Sequence, residues 1–245
     1  MDVNLVILFL LFTYFSEIGG TMAGFGSSTI LLPLALILVD FRLALVLVAI
    51  AHISGNLGRV NFFRGGLDKK LIILFGIPSV FLTIIGAYMV NFTSQELLKL
   101  FLGIFLIIFA IISFFKKDIK FPSHKLTSIT GGGISGFLAG LIGTGGAIRG
   151  AFLIGFGLEK KVYIATAATI SLMVDLTRLP VYFFQGFIQP QIYLIIPFIF
   201  ATSLLGSYTG KLLITKIPQE TFRIIVLMAL FIVGIKFIYD GLFYL

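Results

Sequence analysis

Stretches of roughly twenty apolar residues, nearly free of charge, follow one another from one end of this chain to the other, each about the length a helix needs to cross a bilayer core. Charged residues make up 11% of the 245 positions and hydrophobic residues 59%, against about 25% charge in an ordinary soluble domain. A soluble fold of this size has no interior large enough for so much apolar surface. The expectation is therefore an all-α polytopic membrane protein without a separate soluble domain. The first stretch, 3–15, has neither a basic flank nor a small-residue cleavage site, so it reads as retained and not as a signal peptide.

Punctuation by glycine, proline and charge divides the chain into apolar segments at 3–18, 28–39, 41–62, 71–90 and 97–115, then 126–142, 147–157, 162–184, 191–210 and 221–239. The first two segments of each set are short, since sixteen helical residues reach only ~24 Å. Each short pair flanks a glycine-rich break. It reads either as a re-entrant hairpin or as two short tilted spans, followed in both cases by three full transmembrane helices. The pair returns the chain to the side it left, and three crossings follow, so a second copy is inverted relative to the first.

Basic residues agree with that parity. Arg64, Lys69, Lys70, Lys116, Lys117, Lys120, Lys125, Lys160, Lys161, Lys211, Lys216 and Arg223 fall on one side, which is 12 of the 18 Lys and Arg. Arg42, Lys99 and Lys236 fall on the other. The positive-inside rule then places the 64–70 and 116–125 loops in the cytoplasm and both termini outside. The formal net charge of +8 is thus read as membrane orientation and not as a nucleic-acid surface, which needs its basic residues clustered on one polar face. With no cysteine there is no disulfide framework and no thiolate metal site, and no cofactor or metal is expected.

An internal repeat argues for duplication independently. At an offset of 119, Gly24 falls on Gly143, Asp40 on Glu159, Arg42 on Lys161, Asn56 on Asp175, Arg59 on Arg178 and Phe63 on Tyr182. Gly65 meets Gly186 at 121, and Gln95, Glu96 and Lys99 meet Gln219, Glu220 and Arg223 at 124. The chain divides accordingly into a first repeat, 1–115, a basic cytoplasmic linker, 116–125, and a second repeat, 126–245. Inverted repeats with broken helices meeting near the midplane are a recurring transporter design.

The breaks are the segments most able to carry chemistry. The first contains Gly24, Phe25, Gly26, Ser27 and Ser28, with Thr29 and Pro33 beyond, and the second contains Gly143, Thr144, Gly145 and Gly146. Non-helical backbone at membrane depth is tolerated only inside protein or beside a wet cavity. A glycine turn leading into a helix also offers free N–H groups and the positive end of a dipole, which suits an anion. The alternative is that these glycines simply let helices approach, and for Gly136 and Gly140 that reading stands equally.

These motifs resemble the TauE/SafE family of sulfite exporters and related permeases, whose pattern is approximately G-x-x-x-G-x-x-G-x-G-G-G followed by Pro. Gly136, Gly140, Gly143, Gly145 and Gly146 match it in the second half, and Gly24, Gly26 and Pro33 in the first, with Ala147 at the last glycine and Phe152 at the proline. The resemblance covers essentially the whole chain. It implies transport of a small sulfur-containing or organic anion, such as sulfite, thiosulfate, a sulfonate or sulfoacetate, across the cell inner membrane.

Ionisable groups inside a membrane are functional suspects. Arg149, close after the second break, is the leading candidate for an anion contact, against the bland alternative of an arginine snorkelling to the boundary. Arg59 and Arg178 are repeat mates. Asp175 and Arg178 share a helix face at i and i+3 and can pair structurally, whereas Asn56 leaves Arg59 free to meet substrate or to pair with Glu17. Glu17, His52 and Asp175 are candidates for proton coupling, although a lone buried histidine often only packs and Glu17 could brace the first break.

Two rival readings remain. Gly133-Ile134-Ser135-Gly136 matches the G-x-S-G of intramembrane serine proteases; a nucleophilic serine needs a base, which in that family follows the serine on a later helix, whereas His52 and His124 both precede Ser135. A passive anion channel would share the breaks and the arginines without needing a titrating carboxylate. The function expected is an anion transporter working by alternating access with proton coupling, its partners a small anion and the bilayer, and not an enzyme.

Overall fold

In the computed structural model, residues 2–23, 26–115, 124–214 and 219–243 are described. Among them every regular element is helical: α1 (Val3–Ala23), α2 (Ser27–Ala35), α3 (Phe41–Phe62), α4 (Lys69–Met89), α5 (Gln95–Phe115), α6 (Lys125–Ile142), α7 (Gly146–Gly155), α8 (Lys160–Phe184), α9 (Ile196–Leu213) and α10 (Gln219–Phe243). Short 3₁₀ turns, Val90–Phe92 and Pro190–Leu194, precede α5 and α9. Among the described residues six helices are long and apolar enough to cross a membrane. By contrast α2 and α7, with 9 and 10 residues, reach about 14–15 Å, half a bilayer core. Most of the 116–125 linker lies outside the described residues, as do Gly24, Phe25 and Lys216.

Local chemistry sets these boundaries. Asp40 caps α3 by accepting from Arg42 N at 3.0 Å and Leu43 N at 3.2 Å, and Asp68 caps α4 through Leu71 N at 3.0 Å. Such caps satisfy N–H groups that have no partner within the helix. Helix α6 ends where Gly143 takes φ +75°, a left-handed turn that a residue with a Cβ adopts only under strain.

The two sets of five helices interlock. Helix α4 lies along α6 and α9 along α1; α3 packs on α8 and α9, α8 also packs on α4, and α5 packs on α10. Exchanging the halves maps this pattern onto itself. Of the six long apolar helices α3 and α8 are the most enclosed, with 83% and 56% of their apolar stretches buried, against 28% for α5. Large apolar side chains such as Phe81, Phe92, Phe115 and Ile232 cover the outside, as a lipid-facing surface requires.

The α4–α6 seam is built on glycines. A Cβ on Gly132, Gly136 or Gly140 would come within 2.2, 2.1 and 2.3 Å of the Phe75, Ser79 and Thr83 carbonyl oxygens. Ser79 Oγ donates to Gly132 O at 2.8 Å and Thr83 Oγ1 to Gly136 O at 2.9 Å. With no hydrophobic drive between helices in lipid, close backbone approach and hydrogen bonds hold such a seam. Gly136 and Gly140 are therefore packing glycines. Gly136→Ala is expected to cost about 1–3 kcal/mol by overpacking, seen as a lower melting temperature of purified protein in detergent; a melt matching wild type would contradict this seam.

Candidate functional site

The two interruptions meet in the middle of the molecule. Gly26 has φ +81°, and a Cβ placed on it would sit 3.2 Å from the Gly146 Cα and 3.9 Å from His52 Nε2. Backbone thus touches backbone where α2 and α7 begin. Thr29 Oγ1 and Thr144 Oγ1 add a 2.9 Å hydrogen bond between the halves. Neither helix has a side-chain N-cap, so first-turn N–H groups and the positive dipole ends converge there.

Beside this junction is a cavity with about 30 Å³ of space for the centres of water-sized molecules. One water needs roughly 10–15 Å³ on that scale, so the space suits a ligand of a few heavy atoms. Gly26, Gly146, His52, Asn56, Arg59 and Arg149 line it, with Thr21 from α1 and, from α8, Tyr163 and Ser171 beside apolar residues.

Buried polar atoms are normally paired, which makes three exceptions informative. Among the described residues His52 Nε2, Asn56 Nδ2 and Arg149 Nη1 are buried without a hydrogen-bond partner, and all three residues face the cavity. Arg149 is only 3% exposed, and among the described residues no carboxylate lies within ion-pair distance of it.

The other two buried arginines have different employment. Arg59 forms an ion pair with Glu17, and donates through Nε to Thr21 Oγ1 at 2.9 Å and through Nη1 to Asn56 Oδ1 at 2.8 Å. Its Nη2 also reaches the Glu17 carbonyl at 3.2 Å, and Ser27 Oγ donates to Glu17 Oε1 at 2.7 Å. Arg178 pairs with Asp175 at 2.7 Å and donates through Nη1 to the Ala139 and Gly143 carbonyls, both at 2.9 Å. Each repeat mate therefore ties down backbone near the end of the helix that leads into its break. Asp175 also meets His52 Nδ1 at 2.7 Å, joining α3 to α8 across the repeats.

Of the residues singled out by sequence, Gly26, Gly146, His52, Arg59 and Arg149 come together at the cavity. Ser27, Ser28, Gly143, Thr144, Gly145, Asp175 and Arg178 lie behind its walls, while Gly24 and Phe25 fall outside the described residues. Glu17 is fully buried behind Arg59. Tyr163 and Ser171 were not legible beforehand: an aromatic and a hydroxyl in an apolar helix resemble ordinary packing. Asn56 signalled itself only as a polar residue opposite Asp175 in the repeat. Ser135, the protease-like serine, donates its hydroxyl to Gly145 O at 2.9 Å and so holds the second break.

The charges sum simply. Glu17 offsets Arg59 and Asp175 offsets Arg178, so Arg149 leaves the site with one uncompensated positive charge whenever His52 is neutral. A small concave space that holds N–H donors under a net positive charge has the chemistry that suits an anion. A family model for the sulfite exporter TauE/SafE matches residues 8–237. No curated protein and no solved structure matches the chain.

Proposed function

The chain belongs to the sulfite exporter TauE/SafE family, a family of membrane transporters, and on that premise we propose that it carries a small sulfur oxyanion, sulfite, thiosulfate or a sulfonate, through the cavity between the two breaks. One observation carries the reading: the buried guanidinium of Arg149, whose Nη1 has no hydrogen-bond partner among the described residues, faces a cavity at the converging N-termini of α2 and α7. Arg149, Asn56 and the N–H groups at Gly26 and Gly146 hold the anion, with His52, Tyr163 and Arg59 around it.

Alternating access follows from two inverted halves rocking about this point. Two contacts support the inversion. The loop after α3 touches the start of α8, since Asp68 N donates to Thr166 Oγ1 at 3.0 Å, so repeat mates α3 and α8 run antiparallel. Likewise a Cβ on Gly241, late in α10, would lie 2.9 Å from the carbonyl of Glu96, early in α5. The ends that carry Arg64, Lys69, Lys160 and Lys161 therefore share one face, which the positive-inside rule assigns to the cytoplasm. Above the cavity the Thr29–Thr144 bond and the packed Leu32, Leu45 and Ile142 close the opposite path.

Protein reconstituted in liposomes tests the proposal. Uptake of radiolabelled sulfite is expected to saturate and to be competed by thiosulfate and by sulfonates. Unsaturable flux accompanied by unitary currents would instead identify a passive channel, and absence of any sulfur-anion flux would remove the substrate assignment.

A further inference from the structure

Among the described residues that line the cavity, His52 has the side chain that can hold either one proton or two on its ring nitrogens. Its hydrogen positions follow from its partner. Asp175 is held by Arg178 at 2.7 Å as an ionised, acceptor-only carboxylate, so the imidazole Nδ1, 2.7 Å from Asp175 Oδ2, carries a hydrogen. The tautomer is thereby fixed, and Nε2, which has no partner among the described residues, turns a bare lone pair toward the cavity when the ring is neutral. When the ring is protonated the same atom becomes a donor.

The surrounding charges define the consequence. Asp175 contacts His52 from α8, with Arg178 behind it and Tyr163 on the same helix; Arg149 stands across the cavity on α7. On its own helix α3, Arg59 is matched by Glu17 of α1. Helix α2 has no titratable side chain, and α9 has Tyr208 and Lys211, both placed against the Phe62 ring. The site thus carries one net positive charge with neutral His52 and two with the imidazolium. A monoanion is balanced in the first state. A dianion is balanced only in the second, and there it gains a hydrogen bond from Nε2 in place of repulsion by a lone pair.

We infer that His52 is a proton-binding site that accompanies divalent oxyanions: a dianion binds with one proton taken up on Nε2, a monoanion with none. Asp175 acts through His52 as a positioning residue. The inference rests on the anion site proposed above and adds the charge class and the proton count.

Thiosulfate and methanesulfonate separate the two, being tetrahedral ions of similar size, divalent and monovalent, and neither titrating between about pH 5.5 and 8, the range in which imidazole does. Binding to purified protein by calorimetry in buffers of differing ionisation enthalpy gives both affinity and protons exchanged. Thiosulfate affinity is expected to rise by up to about tenfold per unit fall in pH, with a proton taken up, while methanesulfonate affinity stays flat with none. In His52→Gln, its fold checked by melting and elution volume, the thiosulfate slope is expected to vanish. Equal proton uptake for both anions, none with thiosulfate, or a slope that survives in His52→Gln would overturn the inference while leaving the anion site standing. Failure of the wild-type protein to bind either anion would instead overturn the anion site, and this inference with it.

Discussion

Arg149→Gln is expected to lower the affinity for a sulfur oxyanion by about a hundredfold or more, because it removes one partner of a desolvated charge pair, an effect typically of about 2–5 kcal/mol. The other two buried arginines set the contrast. Arg59 and Arg178 each contact a carboxylate and backbone carbonyls, so their charges are balanced within the protein. Arg149 is as deeply buried, yet its Nη1 has no partner among the described residues. Holding an ionised group out of water without compensation is costly, and in the function proposed above the bound anion offsets that cost. A second outcome follows for the empty protein. Gln at 149 strands no carboxylate, so the melting temperature without ligand is expected to be unchanged or raised. Equilibrium binding and thermal unfolding of the same preparation check both. A variant that binds normally, or that loses binding only in step with a lower melting temperature, would exclude Arg149 as the anion contact.

How far the residues announce this arrangement depends on the range of the interactions. Helix α3 runs over 41–62 as its sequence indicates, because Asp40 caps it locally and its apolar run is continuous. Helix α1 was expected to stop at 18 and continues to Ala23: Gly20 stays helical where the Ser27 backbone crosses so closely that a Cβ would lie 2.3 Å from its nitrogen. Helix α9 begins at Ile196 instead of 191 because a 3₁₀ turn starting at Pro190 takes up the intervening residues. Arg149 was legible as a charge beside a glycine break. The pairings of Arg178 with Asp175 and of Arg59 with Glu17 were legible as possibilities, and both form; the carbonyls of Glu17, Ala139 and Gly143 that also hold these arginines were not, because other helices supply them through tertiary packing. His52 and Asp175 were each visible as polar residues in apolar surroundings, but their contact spans 123 positions, and nothing local foretells it.

Glu17→Gln is the substitution expected to damage the fold most, by about 3–5 kcal/mol, the usual cost of removing one member of a buried ion pair. The amide preserves shape and could still meet Ser27 and Arg59, but it leaves the Arg59 guanidinium buried with no negative charge beside it. Glu17 is fully enclosed, and α3 approaches it so closely that a Cβ on Gly55 would lie 2.1 Å from its Oε2; solvent has no room to relieve the stranded charge. Arg59→Met should cost a similar amount for the reverse reason. The double variant Glu17→Gln/Arg59→Met should be more stable than either single one, since no unpaired charge remains. Thermal unfolding of the four proteins in one detergent closes this cycle. Near-additive losses would show that the two residues act separately. A Glu17→Gln protein that melts like wild type but transports with an altered pH profile would make Glu17 a proton carrier. The geometry favours the brace: Ser27 ties Glu17 to the first residue of α2, and Arg59 ties it to α3. The pair thus fixes the position from which Gly26 meets Gly146, and so the position of the cavity itself.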